Sequence, residues 1–257
     1  MSVGRKNMYY KLIGCKAIQR EIASIVYKCP NVIDTTMIRQ DFHETPEILR
    51  NILQEEIDHI DNDTCKHTNG IKNNEISAIL FGYGLCSYAT AGLKSKKYPL
   101  VIPKAHDCIT LLMGSKEEYK EDYYKNVGTF FYSQGFLELG AFSDDQRIEK
   151  KRMEYAKRYN DPERVEQLLE VEAEMLNNYK YAALISWPDL TADFCENKVL
   201  KIAEKKGWEY RNIKGKSSLL EDLINGNWRE ENFMIVPPGN EMIPSYDDEI
   251  MRLKVDK

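Results

Sequence analysis

The run EISAILFGYG, residues 75–84, constrains the fold of this chain more than any other stretch. It is apolar nearly throughout, without the alternation of a half-exposed strand, and such a run suits a strand covered on both faces of a parallel sheet. Parallel neighbours are reached only through a crossover, so strands and helices should alternate around it. They do. YYKLIGC (9–15) reads as a strand, and KAIQREIASIVYK follows with Ile18, Ile22, Ile25 and Val26 at helical spacing. NVIDTTMIRQDF (31–42) is rich in β-branched residues and reads as a second strand. His43-Glu44-Thr45-Pro46 gives helix-start signals, and Ile48, Leu49, Ile52, Ile57 and Ile60 carry the helix onward. Residues 61–74, Cys65 among them, are polar and turn-rich and predict a surface loop.

Beyond 75–84 the same logic continues. Leu85 to Leu93 reads as a loop leading into a short helix, and YPLVIP (98–103) as another buried strand closed by Pro103. ITLLMG predicts one or two helical turns, and Ser115 and Glu118 stand in capping-box spacing before a further helix. GTFFYSQGF (128–136) is an aromatic strand-like run. Residues 142–178 are charged and helical, broken at Asn160-Asp161-Pro162, where Pro suits the first position of a new helix. A second alternating block follows: KYAALISW, FCENKVLKIAEKKG, WEYRNIKG, SSLLEDLING and ENFMIVPPG read as strand, helix, strand, helix, strand. The expectation is an α/β fold with Rossmann-like, doubly wound parallel sheets. Its lobes are placed at 1–141 and 179–257, joined by a helical hairpin at 142–178.

Composition narrows the partners. The 257 residues carry a net charge of −5 and no basic stripe with interleaved aromatics, which argues against nucleic acid. No apolar run is long enough to span a bilayer, and the N-terminus lacks a signal-peptide core, so the expected location is cytoplasmic. Six cysteines in such a chain point to thiols or metal ligands rather than disulfides. No CxxC pair occurs, so any thiolate site must be assembled from distant segments.

The topology says which cysteines those are. Ligands of open parallel sheets bind at the carboxyl ends of the strands. Cys15 directly follows the first strand, Cys86 follows the third by two residues, and Cys108 follows the fourth by five. A lone cysteine at a strand end is ordinarily a small buried residue. Three at equivalent ends of one sheet suit zinc with one open position, or a cluster iron left free to bind substrate. Helix N-termini beside Cys15 and Cys108 would lower their thiol pKa. Cys29, Cys65 and Cys195 read as structural or exposed. His106 lies in the loop after YPLVIP and is a candidate fourth ligand, general acid or base, or loop anchor. Asp107 is expected to cap the helix starting at Cys108. Glu21 lies one or two turns after Cys15 and is a candidate carboxylate for the site. Gly82 and Gly84 form a fragment of a phosphate loop, with no GxGxxG or Walker pattern completed, which makes Gly84 a candidate cofactor contact.

The segments GCKAIQREI (14–22), FGYGLCSYATAGL (81–93), IPKAHDCITLLMGS (102–115) and GTFFYSQGF (128–136) resemble the family called domain of unknown function 1638. The matching positions are Cys15, Glu21, Gly84, Cys86, His106, Asp107, Cys108, Gly114, Ser115, Gly128, Thr129 and Gly135. The sequence departs from that pattern at Lys104, where Arg is expected, at Ser87-Tyr88 and at Phe136. The resemblance covers most of residues 10–140. It points to proteins of anaerobes and methanogens associated with corrinoid-dependent methyl transfer, and so implies low-potential or thiolate–metal chemistry.

Two functions follow as expectations. One is a metal-dependent enzyme in which Cys15, Cys86 and Cys108 hold a [4Fe–4S] cluster or zinc that acts on a small substrate, with His106 as ligand or proton donor. The other is a non-catalytic accessory protein for a corrinoid methyltransferase, using the helices of 145–178 as its contact surface. A third, plainer expectation is an α/β protein that binds an anionic metabolite at helix N-termini, its cysteines merely buried.

Overall fold

A computed structural model describes residues 7–40, 45–64, 76–139 and 144–254. His43, Cys65 and most of the expected 61–74 loop lie outside the described residues. Along the chain, β1 (Tyr9–Cys15) runs through a single 3-10 turn into α1 (Gln19–Val26), then β2 (Val32–Ile38), α2 (Pro46–Asp61) and β3 (Ile76–Gly82). β4 (Leu100–Pro103), α3 (Cys108–Met113), α4 (Lys116–Lys125), β5 (Thr129–Tyr132) and α5 (Gln134–Glu138) follow. Next come α6 (Asp144–Arg158), α7 (Pro162–Leu176), β6 (Tyr181–Ser186), α8 (Asp193–Lys206), β7 (Glu209–Lys214) and α9 (Ser218–Asn225). The chain closes with β8 (Phe233–Val236), β9 (Met242–Pro244) and β10 (Met251–Leu253). Among the described residues, no helix is long and apolar enough to cross a membrane.

The chain divides into two compact units: Met1–Tyr119 with Gly215–Lys257, and Lys120–Lys214. The first holds a five-stranded sheet in the order β2-β1-β3-β4-β8. β1 pairs in parallel with β2 and β3, β3 pairs in parallel with β4, and β8 closes the far edge antiparallel to β4. β1 and β3 are buried on both faces almost throughout, as continuous apolarity requires. One exception is Lys11, buried in the middle of β1, whose ammonium is neutralised by Asp34 at the registered position of β2. α9 lays Leu219, Leu220, Leu223 and Ile224 into the core and packs on α1, α3, β3 and β4.

Gly14 and Gly82 are registered neighbours on β1 and β3. A Cβ at either would meet Cδ1 of Ile22, at 3.0 and 2.8 Å, so the missing side chains let α1 lie close against the sheet. That close packing sits at the carboxyl ends of the two strands, where the site described below is built.

The second unit is a three-stranded parallel sheet, β5-β6-β7. α8 covers it through Cys195, Val199 and Ala203, which meet Tyr132, Leu137, Ala182 and Leu184. Arg211 on β7 reaches Asp122 and the Thr129 hydroxyl, tying α4 to the sheet. The charged helices form the expected pair: the Asp161 carboxylate accepts from the backbone N–H of Glu163 and Arg164 and starts α7 at Pro162.

Three local expectations change. GTFFYSQGF is only half strand, because the Ser133 hydroxyl accepts from the N–H of Phe136 and begins α5. The stretch 85–93 forms turns in place of a helix. ENFMIVPPG does provide a strand, but β8 joins the sheet of β1–β4 and not that of β6 and β7, so Gly215–Lys257 belongs with the first unit. The tail beyond it forms the β9–β10 hairpin.

Candidate functional site

The strand order places a reversal between β1 and β3. From β1 the chain moves outward to β2, then crosses back past β1 to β3 and continues to β4. In doubly wound sheets the carboxyl ends of strands at such a reversal bound the crevice where ligands bind. Cys15 is the last residue of β1. Its sulfur accepts from the backbone N–H of Ala17 at 3.4 Å, which turns the chain into α1. Cys86 and Cys108 stand in the segments leaving β3 and β4, and these segments are joined: the N–H groups of Leu85 and Cys86 donate to the carbonyls of Ala105 and His106 at 2.8 and 2.9 Å. Gly84 permits that approach, since a Cβ there would fall 2.3 Å from the Ala105 carbonyl oxygen.

The three thiols are 7, 6 and 8 % exposed, so none faces bulk solvent. They lie within electrostatic reach of one another. Burial pushes the Cys15 thiol up. Burial, then the negative charge of Asp107 and of Cys15, push Cys86 up strongly. Burial, then Cys15, Asp107 and Cys86, do the same to Cys108. The charged neighbours that perturb Cys86 and Cys108 are thus all acidic. This reverses the expectation that helix N-termini would lower the thiol pKa. The turn after Cys15 is a single 3-10 turn and α3 has only six residues, so desolvation outweighs both.

Backbone strain marks the same place. Cys86, Ser87 and Tyr88 have φ of +45°, +56° and +69°, three successive non-glycine residues in the left-handed region. Each costs roughly 1–2 kcal/mol, which the surroundings must offset. The buried Thr90 hydroxyl donates to the Gly84 carbonyl at 2.9 Å, and Arg50 of α2 donates to the Tyr88 carbonyl at 2.6 Å. These contacts pin both ends of the turn that carries Cys86.

Of the remaining candidates, Asp107 caps α3 as expected, accepting from Ile109 and Thr110 at 3.0 and 3.3 Å. His106 is exposed, and its carbonyl is part of the pairing between the two loops. Glu21 is buried in the first turn of α1. Lys104 is buried and pairs with Glu249 of the C-terminal segment, which holds the Glu249 carboxyl below its ordinary value. Cys29 is half-buried beside Asn225, and Cys195 is part of the second unit's core.

Sequence reasoning missed Tyr83. Its ring is 2 % exposed, and burial first, then the charges of Cys15, Cys86 and Cys108, hold its hydroxyl well above the ordinary phenol pKa. The signal was its place between two glycines at the end of the most apolar strand.

A family profile described as "Protein of unknown function (DUF1638)" matches residues 37–224. The chain belongs to this family. The DUF1638 match takes in Cys86, His106 and Cys108, and reaches through the second unit into α9. Cys15 and Glu21 precede the matched region. No curated protein and no solved structure matches the chain.

The donor set can be tested against a metal on its chemistry. Three buried thiols and a neighbouring carboxylate perturb one another as acidic groups. A bound cation reverses that electrostatic logic and deprotonates a coordinating thiol outright. In donor type the three cysteines suit a thiophilic metal. Among the described residues, no three His, Cys, Asp or Glu side chains are already arranged as a ligating group.

Proposed function

We propose that this DUF1638 protein is a metal-dependent enzyme in which Cys15, Cys86 and Cys108 hold an iron–sulfur cluster or zinc that acts on a small substrate. What supports the reading is that three buried thiols stand in the segments leaving β1, β3 and β4 of one sheet, where Cys15 and Cys86 both act electrostatically on Cys108. When bound by three thiolates, such a centre supplies one open coordination position that polarises a small molecule. The chain's own residues do the rest. The linked loops after β3 and β4 keep Cys86 and Cys108 together, and the burial around them excludes water. His106, exposed on the same loop, is the candidate ligand or proton donor, and Glu21 adds a buried carboxylate on α1. Within this reading the protein works in the cytoplasm, and its substrate belongs to the corrinoid-linked methyl-group metabolism of anaerobes, a placement that rests on the family resemblance alone.

Anaerobic purification followed by metal and sulfide analysis tests the proposal. Wild type should carry metal in stoichiometric amount after reconstitution. Cys15→Ser, Cys86→Ser and Cys108→Ser should each lose most of it, while Cys29→Ser should keep it. Absence of metal from reconstituted wild type, or equal metal in all variants, would sink the reading.

A further inference from the structure

A strand at the edge of a sheet offers a row of unpaired N–H and C=O groups, and folded proteins ordinarily shorten, charge or interrupt such strands so that nothing pairs with them. Three edges of this protein are treated in that way. β8 has four residues and runs straight into Pro237 and Pro238. β5 also has four, and β7 carries Glu209, Arg211 and Lys214. β2 is the exception. It is seven residues long, contains no Pro or Lys, and follows β1 in unbroken register. Among the described residues β1 is its one strand neighbour. Its single charge, Asp34, is already engaged by the Lys11 ammonium and by the Tyr9 hydroxyl of β1, so the outer edge carries no uncompensated charge.

The backbone groups of that edge can be assigned. The Val32 N–H donates to the Met8 carbonyl, just before β1, at 2.9 Å. Backbone groups of successive strand residues alternate in direction. Val32, Asp34, Thr36 and Ile38 therefore direct theirs at β1, and Ile33, Thr35 and Met37 direct theirs outward. The outward set is centred on Thr35, which is exposed. The sequence is self-complementary about the same residue. When two copies pair antiparallel with Thr35 opposite Thr35, Val32 meets Ile38, Ile33 meets Met37, and Asp34 meets Thr36. Apolar residues face apolar ones, and each Asp34 carboxylate faces a hydroxyl that can donate to it. Moving the centre to Asp34 would set two carboxylates face to face, which is destabilising. With the centre at Thr35, the Thr35–Thr35 and Ile33–Met37 positions are the pairs that exchange both N–H···O bonds, because theirs are the groups that point outward.

We propose that β2 is a dimerisation strand: two copies of this chain pair their β2 edges antiparallel about Thr35 and join their five-stranded sheets into one. The contact is isologous, as a two-fold dimer requires. It sets the carboxyl ends of β1, with Cys15, pointing in opposite directions in the two copies. The proposal does not rest on the metal reading above.

The experiment uses the full chain as wild type and as Thr35→Lys, Thr35→Cys and Val32→Cys, with mass measured by light scattering across a dilution series. Wild type should approach twice the chain mass of 29.9 kDa at the concentrated end. Thr35→Lys sets two ammonium groups opposite each other and should halve that mass while its circular dichroism stays unchanged. In the Thr35→Cys dimer the new thiols lie on residues with Cα atoms about 5.5 Å apart, within disulfide reach, so mild oxidation should link residue 35 to residue 35, read by non-reducing peptide mass mapping. Val32→Cys is equally exposed, but its two copies lie about 20 Å apart along the paired strands and should not link. A wild type that stays monomeric throughout would overturn the proposal. A dimer that persists in Thr35→Lys, without a link at residue 35, would place the contact on another surface and overturn it as well. Equal linking of Val32→Cys and Thr35→Cys would overturn the register. Should Thr35→Lys fail to fold, the cross-link decides.

Discussion

Cys86 and Cys108 are thiols whose surroundings on balance oppose ionisation: burial first, then the charges of Asp107 and the other cysteines, against a backbone hydrogen bond that favours it at each. In the metal-free protein they should therefore react slowly. At pH 8, iodoacetamide should modify the half-buried Cys29 first, with Cys15, Cys86 and Cys108 protected until the fold opens; peptide mass mapping reads the order. The same shifts link stability to pH. A thiol whose pKa is raised on folding keeps its proton in the native state while the unfolded chain loses it above the ordinary value of 9.0. The stabilisation is thus complete below about pH 9 and falls as pH rises further, by up to about 1.4 kcal/mol per pH unit for each such thiol. Urea unfolding of the metal-free protein at pH 8 and pH 10 should show that loss, and Cys86→Ala should reduce it. A flat profile would mean that the thiols are not held protonated. Much of this residue-level site was legible in the sequence, because Cys15, Cys86 and Cys108 each follow an apolar run whose end is easy to see. Tyr83 was passed over, because its nearness to the thiols comes from the tertiary packing and its one sequence signal is its place between Gly82 and Gly84.

Among the elements, the turn at Cys86–Tyr88 departs most from what its sequence suggests. LCSYATAGL has residues that favour a helix, and a loop leading into a helix is the natural expectation. The observed turn is left-handed at three successive residues, a state that only tertiary contacts sustain: Leu85 and Cys86 bonded to the loop after β4, Thr90 to Gly84, and Arg50 to Tyr88. Local propensity carried no trace of those partners, which lie up to 38 residues away. Because strain at functional turns is a cost borne by the rest of the fold, relieving it should stabilise the protein. Ser87 is exposed and has φ of +56°, so Ser87→Gly should raise stability by about 0.5–1 kcal/mol, the strain relief less the added chain entropy of glycine. Ser87→Val should lower it by a similar amount or more, since a β-branched residue at positive φ is a genuine outlier. Urea midpoints of the two variants decide the matter; a destabilised Ser87→Gly would mean that the serine side chain holds the turn. By contrast, α3, α4 and α7 start where Asp107, Ser115 and Asp161 are placed in the sequence, because capping is local chemistry.

At the scale of the whole molecule, alternation alone could announce two parallel sheets but not which strand belongs to which. β8 looks like the next strand after β7 and α9, yet it pairs with β4, 130 or more residues earlier in the chain. Long-range pairing of this kind depends on which edge is left open and apolar, and β4 offers four buried residues in a row. The first unit is therefore discontinuous: its site is built by residues before 120, and its core is completed by residues after 214. The energetic share of the returning segment is large. Leu219, Leu220, Leu223 and Ile224 are all buried, as are Phe233 and Val236. At about 1.5–3 kcal/mol for each large apolar side chain, α9 and β8 together contribute on the order of 10 kcal/mol, comparable with the whole stability of a typical domain. A fragment of residues 1–141 should consequently fail to fold although it contains all three cysteines, giving a disordered far-UV circular dichroism spectrum and rapid proteolysis. Supplying residues 215–257 as a separate chain should restore protease resistance, because the missing strand and helix then cover β4 and α1 again. A stably folded 1–141 fragment would show instead that the sheet of β1–β4 holds without its antiparallel edge, and that the returning segment only decorates a finished core.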